Sequence, residues 1–222
     1  MKIFQETKVK FKNAIQSVLD EKSSYEIDEA ALPAYAHRNL FIDYIFWQRI
    51  KIAYKYGLTY KNRKVLDFGC GSGLLSYALA KNGVSIVAND VEFSPLNLLK
   101  EKINFPEEIE FIEGNLLTTN IGEKSFDLII ALDVLEHISN LDEYILLFKK
   151  LLKKNGVIIV SGPTENVLYK IGRRMAGEKF TGDYHVNNIG NIRMQFSKHL
   201  RTKMIKKIIW PFTLFEIFIA IE

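Results

Sequence analysis

The chain of 222 residues carries 30 Lys and Arg against 26 Asp and Glu, and 48% of it is apolar. That length fits one α/β domain with a sizeable core, and the apolar content excludes an intrinsically disordered chain. A single cysteine, Cys70, excludes an internal disulfide framework and points to a reducing compartment, while the net charge of +4, with both signs interspersed, leaves no footprint for a polyanionic partner.

The N-terminus, MKIFQETKVKFKN, has no apolar run of signal-peptide length. The most apolar stretch, Ile208 to Ile221, is shorter than the roughly 20 residues of a membrane span and is broken by Pro211 and Glu216. The expectation is a soluble, cytoplasmic protein. Up to about Tyr60 the chain reads as helical, with Leu40, Phe41, Tyr44, Ile45, Trp47 and Ile50 near helical spacing. This part reads as a helical extension, 1–60, that does not fold independently of the domain at 61–222.

From Lys64 strands and helices alternate. Val65 to Phe68 is a strand ending in glycines, and Leu74 to Lys81 is a helix stopped by Asn82-Gly83. Ser85 to Ala88 is a second strand. Pro95 to Ile103 is a helix with Ser94 as its N-cap. Glu110 to Glu113 and Phe126 to Leu132 are further strands, the latter apolar enough to be central. Leu141 to Leu152 is a helix closed by lysines and Asn155-Gly156, and Val157 to Val160 is a fifth strand. Met204 to Trp210 and Leu214 to Ile221 are closing strands around a turn near Pro211. Such alternation implies a mostly parallel sheet with helices on both faces, and ligands at the carboxyl ends of its strands.

The strongest motif is Val65-Leu66-Asp67-Phe68-Gly69-Cys70-Gly71-Ser72-Gly73, a strand running through a glycine turn into a helix. The glycine spacing is not that of a dinucleotide fingerprint. Asp67 would repel a pyrophosphate and attract an ammonium or sulfonium, which points to S-adenosylmethionine. Asp90, at the end of the second strand, is placed to accept hydrogen bonds from ribose hydroxyls.

These segments, VLDFGCGSG at 65–73, VANDVEFSP at 87–95, FIEGNLL at 111–117, FDLIIALDVLEHI at 126–138 and LLKKNGVIIVSGP at 151–163, resemble the Rossmann-like (class I) S-adenosylmethionine-dependent methyltransferases, small-molecule type. The resemblance implies a seven-stranded, mostly parallel Rossmann-like sheet with helices on both faces and an N-terminal helical extension. It implies that Asp67 holds the methionine ammonium, and that Gly69, Cys70 and Gly71 line the methionine and ribose. Asp90 would bind the ribose hydroxyls, and Val91 would flank the adenine. Asn115, where many members carry Asp, would contact the adenine edge with the backbone of Leu116. Leu132 and Asp133 would face the methionine end and the acceptor.

Asp133, Glu136 and His137 also resemble a cluster that holds a divalent metal in some O-methyltransferases of quinone biosynthesis. The favoured reading is that Glu136 and His137 cap and brace a turn, so no metal ligand is assigned. His137 and His185 are the candidate general bases, and each also has a bland reading as a bracing or surface residue. His185 and Tyr184 lie in GDYHVNNIGNI, which resembles the segment before a helix covering the acceptor pocket. Residues 166–177 set Lys170, Arg173 and Arg174 against an apolar face, and could touch a membrane surface or a lipid-linked acceptor. A lid helix with a solvated basic face is the favoured alternative. No zinc spacing, dense basic stripe or base-stacking motif supports nucleic-acid binding. The expected activity is methylation, at oxygen, of a small-molecule or lipid-like acceptor. Its rivals are a non-catalytic Rossmann-like nucleoside-binding protein and an NAD(P)-dependent oxidoreductase.

Overall fold

Apolar spacing of three and four residues writes the first helix. In α1 (Lys2–Glu21) the side chains of Phe4, Phe11, Ala14, Ile15 and Val18 are buried along one stripe, as an amphipathic surface helix requires. The computed structural model describes residues 1–21, 32–37, 39–60, 63–164, 186–209 and 213–222. Two compact units divide them, Met1–Thr119 and Asn120–Glu222.

The first unit holds α1, α2 (Leu32–Tyr35) and α3 (Leu40–Leu58), then β1 (Lys64–Phe68), α4 (Leu74–Ala80), β2 (Ser85–Asp90), α5 (Ser94–Lys100) and β3 (Ile109–Glu113). Its strands lie in the order β3-β2-β1, all parallel. Parallel strands covered by helices lose both faces to the core, and β1 and β2 are accordingly buried almost end to end. Every residue of α4 is buried. An edge-to-face aromatic chain fastens α1 to this core. Phe11 meets Tyr77 at 5.3 Å and Phe105 at 6.0 Å, Phe105 meets Phe111 at 5.8 Å, and Phe111 meets Phe93 at 5.9 Å.

The second unit holds β4 (Phe126–Leu132), a 3-10 turn (Leu135–His137), α6 (Leu141–Leu151), β5 (Leu152–Pro163), α7 (Ile189–Ser197), β6 (Arg201–Ile209) and β7 (Thr213–Ile221). The order is β4-β5-β7-β6, with β4 and β5 parallel and the other pairs antiparallel. The outer strand, β6, exposes Arg201, Lys203, Lys206 and Lys207, and its register shifts between Met204 and Lys206. No helix among the described residues is long and apolar enough to cross a membrane.

Of the boundaries that differ from the sequence expectation, two have a visible cause. Ser94 is the first residue of α5 rather than its cap. The Asn97 N–H already bonds the Phe93 carbonyl at 2.7 Å, and the Ser94 hydroxyl turns to Glu92. Strand β5 begins at Leu152, because Leu152 pairs with Phe126 and Lys153 reaches Asp127 at 2.8 Å. Lys149 and Lys150 close α6 as expected, whereas Lys153, Lys154 and Asn155-Gly156 lie inside the strand, where Asn155 takes a φ of 64°. The expected amphipathic segment 166–177 and the turn at Pro211 lie outside the described residues.

Phe11 is fully buried among aromatic rings, whereas Val9 is 59% exposed on the same helix. Phe11→Ala should cost about 3–5 kcal/mol in urea unfolding. Val9→Ala should stay within about 0.5 kcal/mol.

Candidate active site

In the first unit the chain leaves β1 with Asp67, which is 3% exposed and accepts a hydrogen bond from the Ser76 hydroxyl at 2.6 Å. Burial, opposed by that hydrogen bond and reinforced by the nearby Asp90 charge, pushes the Asp67 carboxyl up to about 6. Asp90, at the end of β2, is also raised, chiefly by desolvation and against hydrogen bonds from the Gly71, Val91 and Glu92 backbone. Its Oδ2 accepts the Gly71 N–H at 2.7 Å and its Oδ1 accepts the Val91 N–H at 2.8 Å. A carboxylate has about four lone-pair sites, so acceptor capacity remains for hydroxyls. Burial beside these two carboxylates drives the Cys70 thiol far above its ordinary range. Cys70 is therefore a neutral thiol beside these carboxylates.

The loop between β1 and α4 is fastened by its own N–H groups. Those of Gly69 and Cys70 donate to the Asn89 carbonyl at 2.8 and 2.9 Å, and that of Gly73 donates to the Cys70 carbonyl at 2.9 Å. With the Gly71 N–H on Asp90, the loop offers no run of empty donors for a phosphate.

Gly71 and Gly73 both take positive φ, 51° and 70°, but for different reasons. A Cβ on Gly71 would meet nothing within 4 Å, whereas one on Gly73 would strike Leu96 at 2.8 Å and Phe105 at 2.9 Å. Gly71 borders open space beside two desolvated carboxylates. Gly73 is needed for packing.

Past β3, Asn115 is exposed and its Oδ1 accepts the Leu117 N–H at 2.8 Å, closing an Asx turn that buries Leu116. Val91, next to Asp90, leaves 68% of its surface uncovered.

In the second unit Leu132 ends β4 half-buried. Asp133 follows with a φ of 52°, unusual for a residue with a Cβ. Its N–H donates to the Ser161 carbonyl at 3.1 Å, and the Ser161 hydroxyl donates to its Oδ1 at 3.0 Å. Glu136 is buried, and its carbonyl accepts the N–H groups of Val186 and Asn187. The Asn187 amide donates to the Ile138 carbonyl at 2.8 Å, so the 3-10 turn braces the approach to α7. His137 is exposed on that turn. Among the described residues no three His, Cys, Asp or Glu side chains group as metal ligands. His185 and Tyr184 lie outside the described residues. Sequence reading missed two partners, Ser76 and Asn89. A polar residue inside an otherwise apolar helix or strand was the available signal.

Residues 66–160 match the family model described as a methyltransferase domain. Curated relatives include the ubiquinone biosynthesis O-methyltransferases of Pelagibacter ubique, 34% identical over 46% of this chain, and of Pasteurella multocida, 34% identical over 47% of it. The chain spans less than half the length of these relatives, 42% and 47% of them. The magnesium protoporphyrin IX methyltransferase of Synechocystis PCC 6803, solved with bound SAH, shares 21% identity at a TM-score of 0.58, over 79% of this chain and 82% of that one. A SAM dependent methyltransferase from Archaeoglobus fulgidus aligns at a TM-score of 0.60 and 14% identity, over 84% of this chain and 100% of that one. These likenesses bear out the expected Rossmann-like, mostly parallel fold with helices and an N-terminal helix.

The contrast between these two glycines is measurable by thermal or urea unfolding. Gly71→Ala should lose about 1–2 kcal/mol through its positive φ alone. Gly73→Ala should lose about 1–3 kcal/mol more, from overpacking against Leu96 and Phe105.

Proposed function

We propose that this chain moves the methyl group of S-adenosylmethionine to an oxygen of a small, lipid-like acceptor in a cytoplasmic setting. One observation carries the cofactor reading: the buried Asp67 and the half-buried Asp90, both raised by desolvation, lie at the glycine loop, where Gly71 has open space at its Cβ position. Such a site gains most from a cation that carries hydroxyls. The spent donors of the loop argue against a pyrophosphate and hence against the NAD(P) oxidoreductase reading.

In this reading Asp67 takes the ligand's ammonium and Asp90 its ribose hydroxyls. Val91 and the turn at Asn115 and Leu116 flank the adenine, and Leu132 borders the methionine end. The bound cofactor supplies an electrophilic methyl on a sulfonium. The acceptor oxygen forms its bond to that carbon as the carbon–sulfur bond breaks, and a base takes the hydroxyl proton. His137 is the candidate base among the described residues, and His185 is the other histidine proposed for that role. The relatives named for ubiquinone biosynthesis support a ubiquinone precursor as the acceptor class. Residues 166–177 stay assigned to a lid or to peripheral membrane contact.

Titration of Asp67 has two opposite signatures. Its carboxyl, pushed up to about 6 in the folded protein, lies above the ordinary value of 3.8. It therefore contributes stability to the ligand-free protein below the lower value, and that contribution is lost as pH rises through the upper one. Ligand affinity runs the other way, since only the carboxylate holds an ammonium. Calorimetry should show S-adenosylhomocysteine binding weaken as pH falls through about 6. Asp67→Asn should bind weakly at every pH, and an unchanged affinity in that variant would discard the assignment.

His137→Ala should lower kcat by about 10²–10⁴-fold with the affinity for S-adenosylhomocysteine unchanged. An unaltered kcat removes His137 from the chemistry.

A further inference from the structure

The end of β2 carries one more buried polar side chain, Asn89, which is 1% exposed. Its main chain and side chain point to different parts of the candidate site. The Asn89 carbonyl accepts the N–H groups of Gly69 and Cys70 at 2.8 and 2.9 Å, holding the glycine loop. Its Nδ2 donates to the carbonyls of Ile112 at 2.8 Å and Gly114 at 3.0 Å, holding the chain just before Asn115. An amide NH2 has two hydrogens, so both are engaged. Gly114 is tied a second time, through its N–H to the Asp90 carbonyl at 2.8 Å. Gly114 also takes a φ of 115°, so the side-chain amide anchors a turn in a conformation that residues with a Cβ rarely adopt.

A strand residue needed only for packing would be apolar here, since its neighbours Val87 and Ala88 are fully buried. An aspartate could not serve, because an ionised carboxylate has no proton to donate and would place a third negative charge near Asp67 and Asp90. Valine or alanine would leave two carbonyls without this donor. The two backbone stretches that Asn89 fixes are the two on which the proposed contacts to the methionine–ribose part and to the adenine edge depend.

We propose that Asn89 is a positioning residue: its side chain sets the turn at Gly114 and Asn115 against the glycine loop, and thereby sets the selectivity for adenine over a base with an altered edge. The inference rests on the S-adenosylmethionine reading above. Its signature is a change in discrimination between bases rather than a general loss of binding.

The test is calorimetry with S-adenosylhomocysteine and S-inosylhomocysteine, whose bases differ only at the edge facing this turn. The wild-type chain should favour the adenine form by about tenfold, the worth of one well-made hydrogen bond. Asn89→Ala should bring the ratio of the two affinities to within about twofold, and Asn89→Ser, which keeps one donor, should fall between. Circular dichroism and melting temperature show whether each variant is folded. Should Asn89→Ala not fold, Asn89→Ser decides the matter. An unchanged ratio in the folded variant overturns the proposal, including the case in which both affinities fall in parallel as a purely structural role would have it. A wild-type chain that binds both ligands equally also overturns it while leaving the cofactor reading intact. A wild-type chain that binds neither removes the cofactor reading itself.

Discussion

Backbone N–H groups in a tight, half-buried turn must find acceptors, and those of the glycine loop find them largely at the end of β2. The Asn89 carbonyl takes two and the Asp90 carboxylate takes a third, so β1, the loop and β2 set one another's geometry. The same bonds decide what the loop can bind. A loop with empty donors would be an anion site, whereas this one has engaged the N–H groups of Gly69, Cys70, Gly71 and Gly73 and stands beside carboxylates. Asp67 then sits desolvated beside Asp90 with the Ser76 hydroxyl as a partial counterweight. Carboxylates desolvated this close together cost stability, and a neighbouring cation would offset that cost.

Much of this was legible in the chain. Strand β4 has the bounds its apolar run announced, Phe126–Leu132, because a strand buried on both faces has few polar residues to blur its ends. The glycine triplet and its flanking Asp67 and Asp90 were readable because positive φ and a carboxylate at a strand end leave direct marks in sequence. Less legible were features decided by partners distant in the chain. Ser94 has the composition of a cap, yet the Glu113 carboxylate draws in the Phe93 N–H at 2.8 Å and the helix starts a residue earlier. Lys153 reads as a helix terminus until Asp127 is placed beside it. Asn89 falls just past the expected strand Ser85 to Ala88, and only the carbonyls of Ile112 and Gly114 reveal it as a buried donor of β2.

The second unit keeps its own constraint in the strained residue at the end of β4. Asp133 sits at a φ of 52°, a conformation that costs a non-glycine residue about 1–3 kcal/mol and lasts only where neighbours over-determine it. Ser161 does so from both its main chain and its hydroxyl. The strain aims one carboxylate rather than being spread along the strand. Two residues on, the 3-10 turn at Leu135–His137 is braced by Val186 and Asn187, so the exposed ring of His137 stands on a fixed base.

The cationic rim of β6 bears on how copies of the protein meet. An outer strand normally invites a neighbouring chain to continue the ladder, and the invitation is strongest when the strand is flat and uncharged. Here Arg201, Lys203, Lys206 and Lys207 line that margin, and the slip in register after Met204 bends it out of true. A second copy arriving edge to edge would bring an identical row of positive charge against the first. Self-association by extension of the sheet at β6 is thereby discouraged.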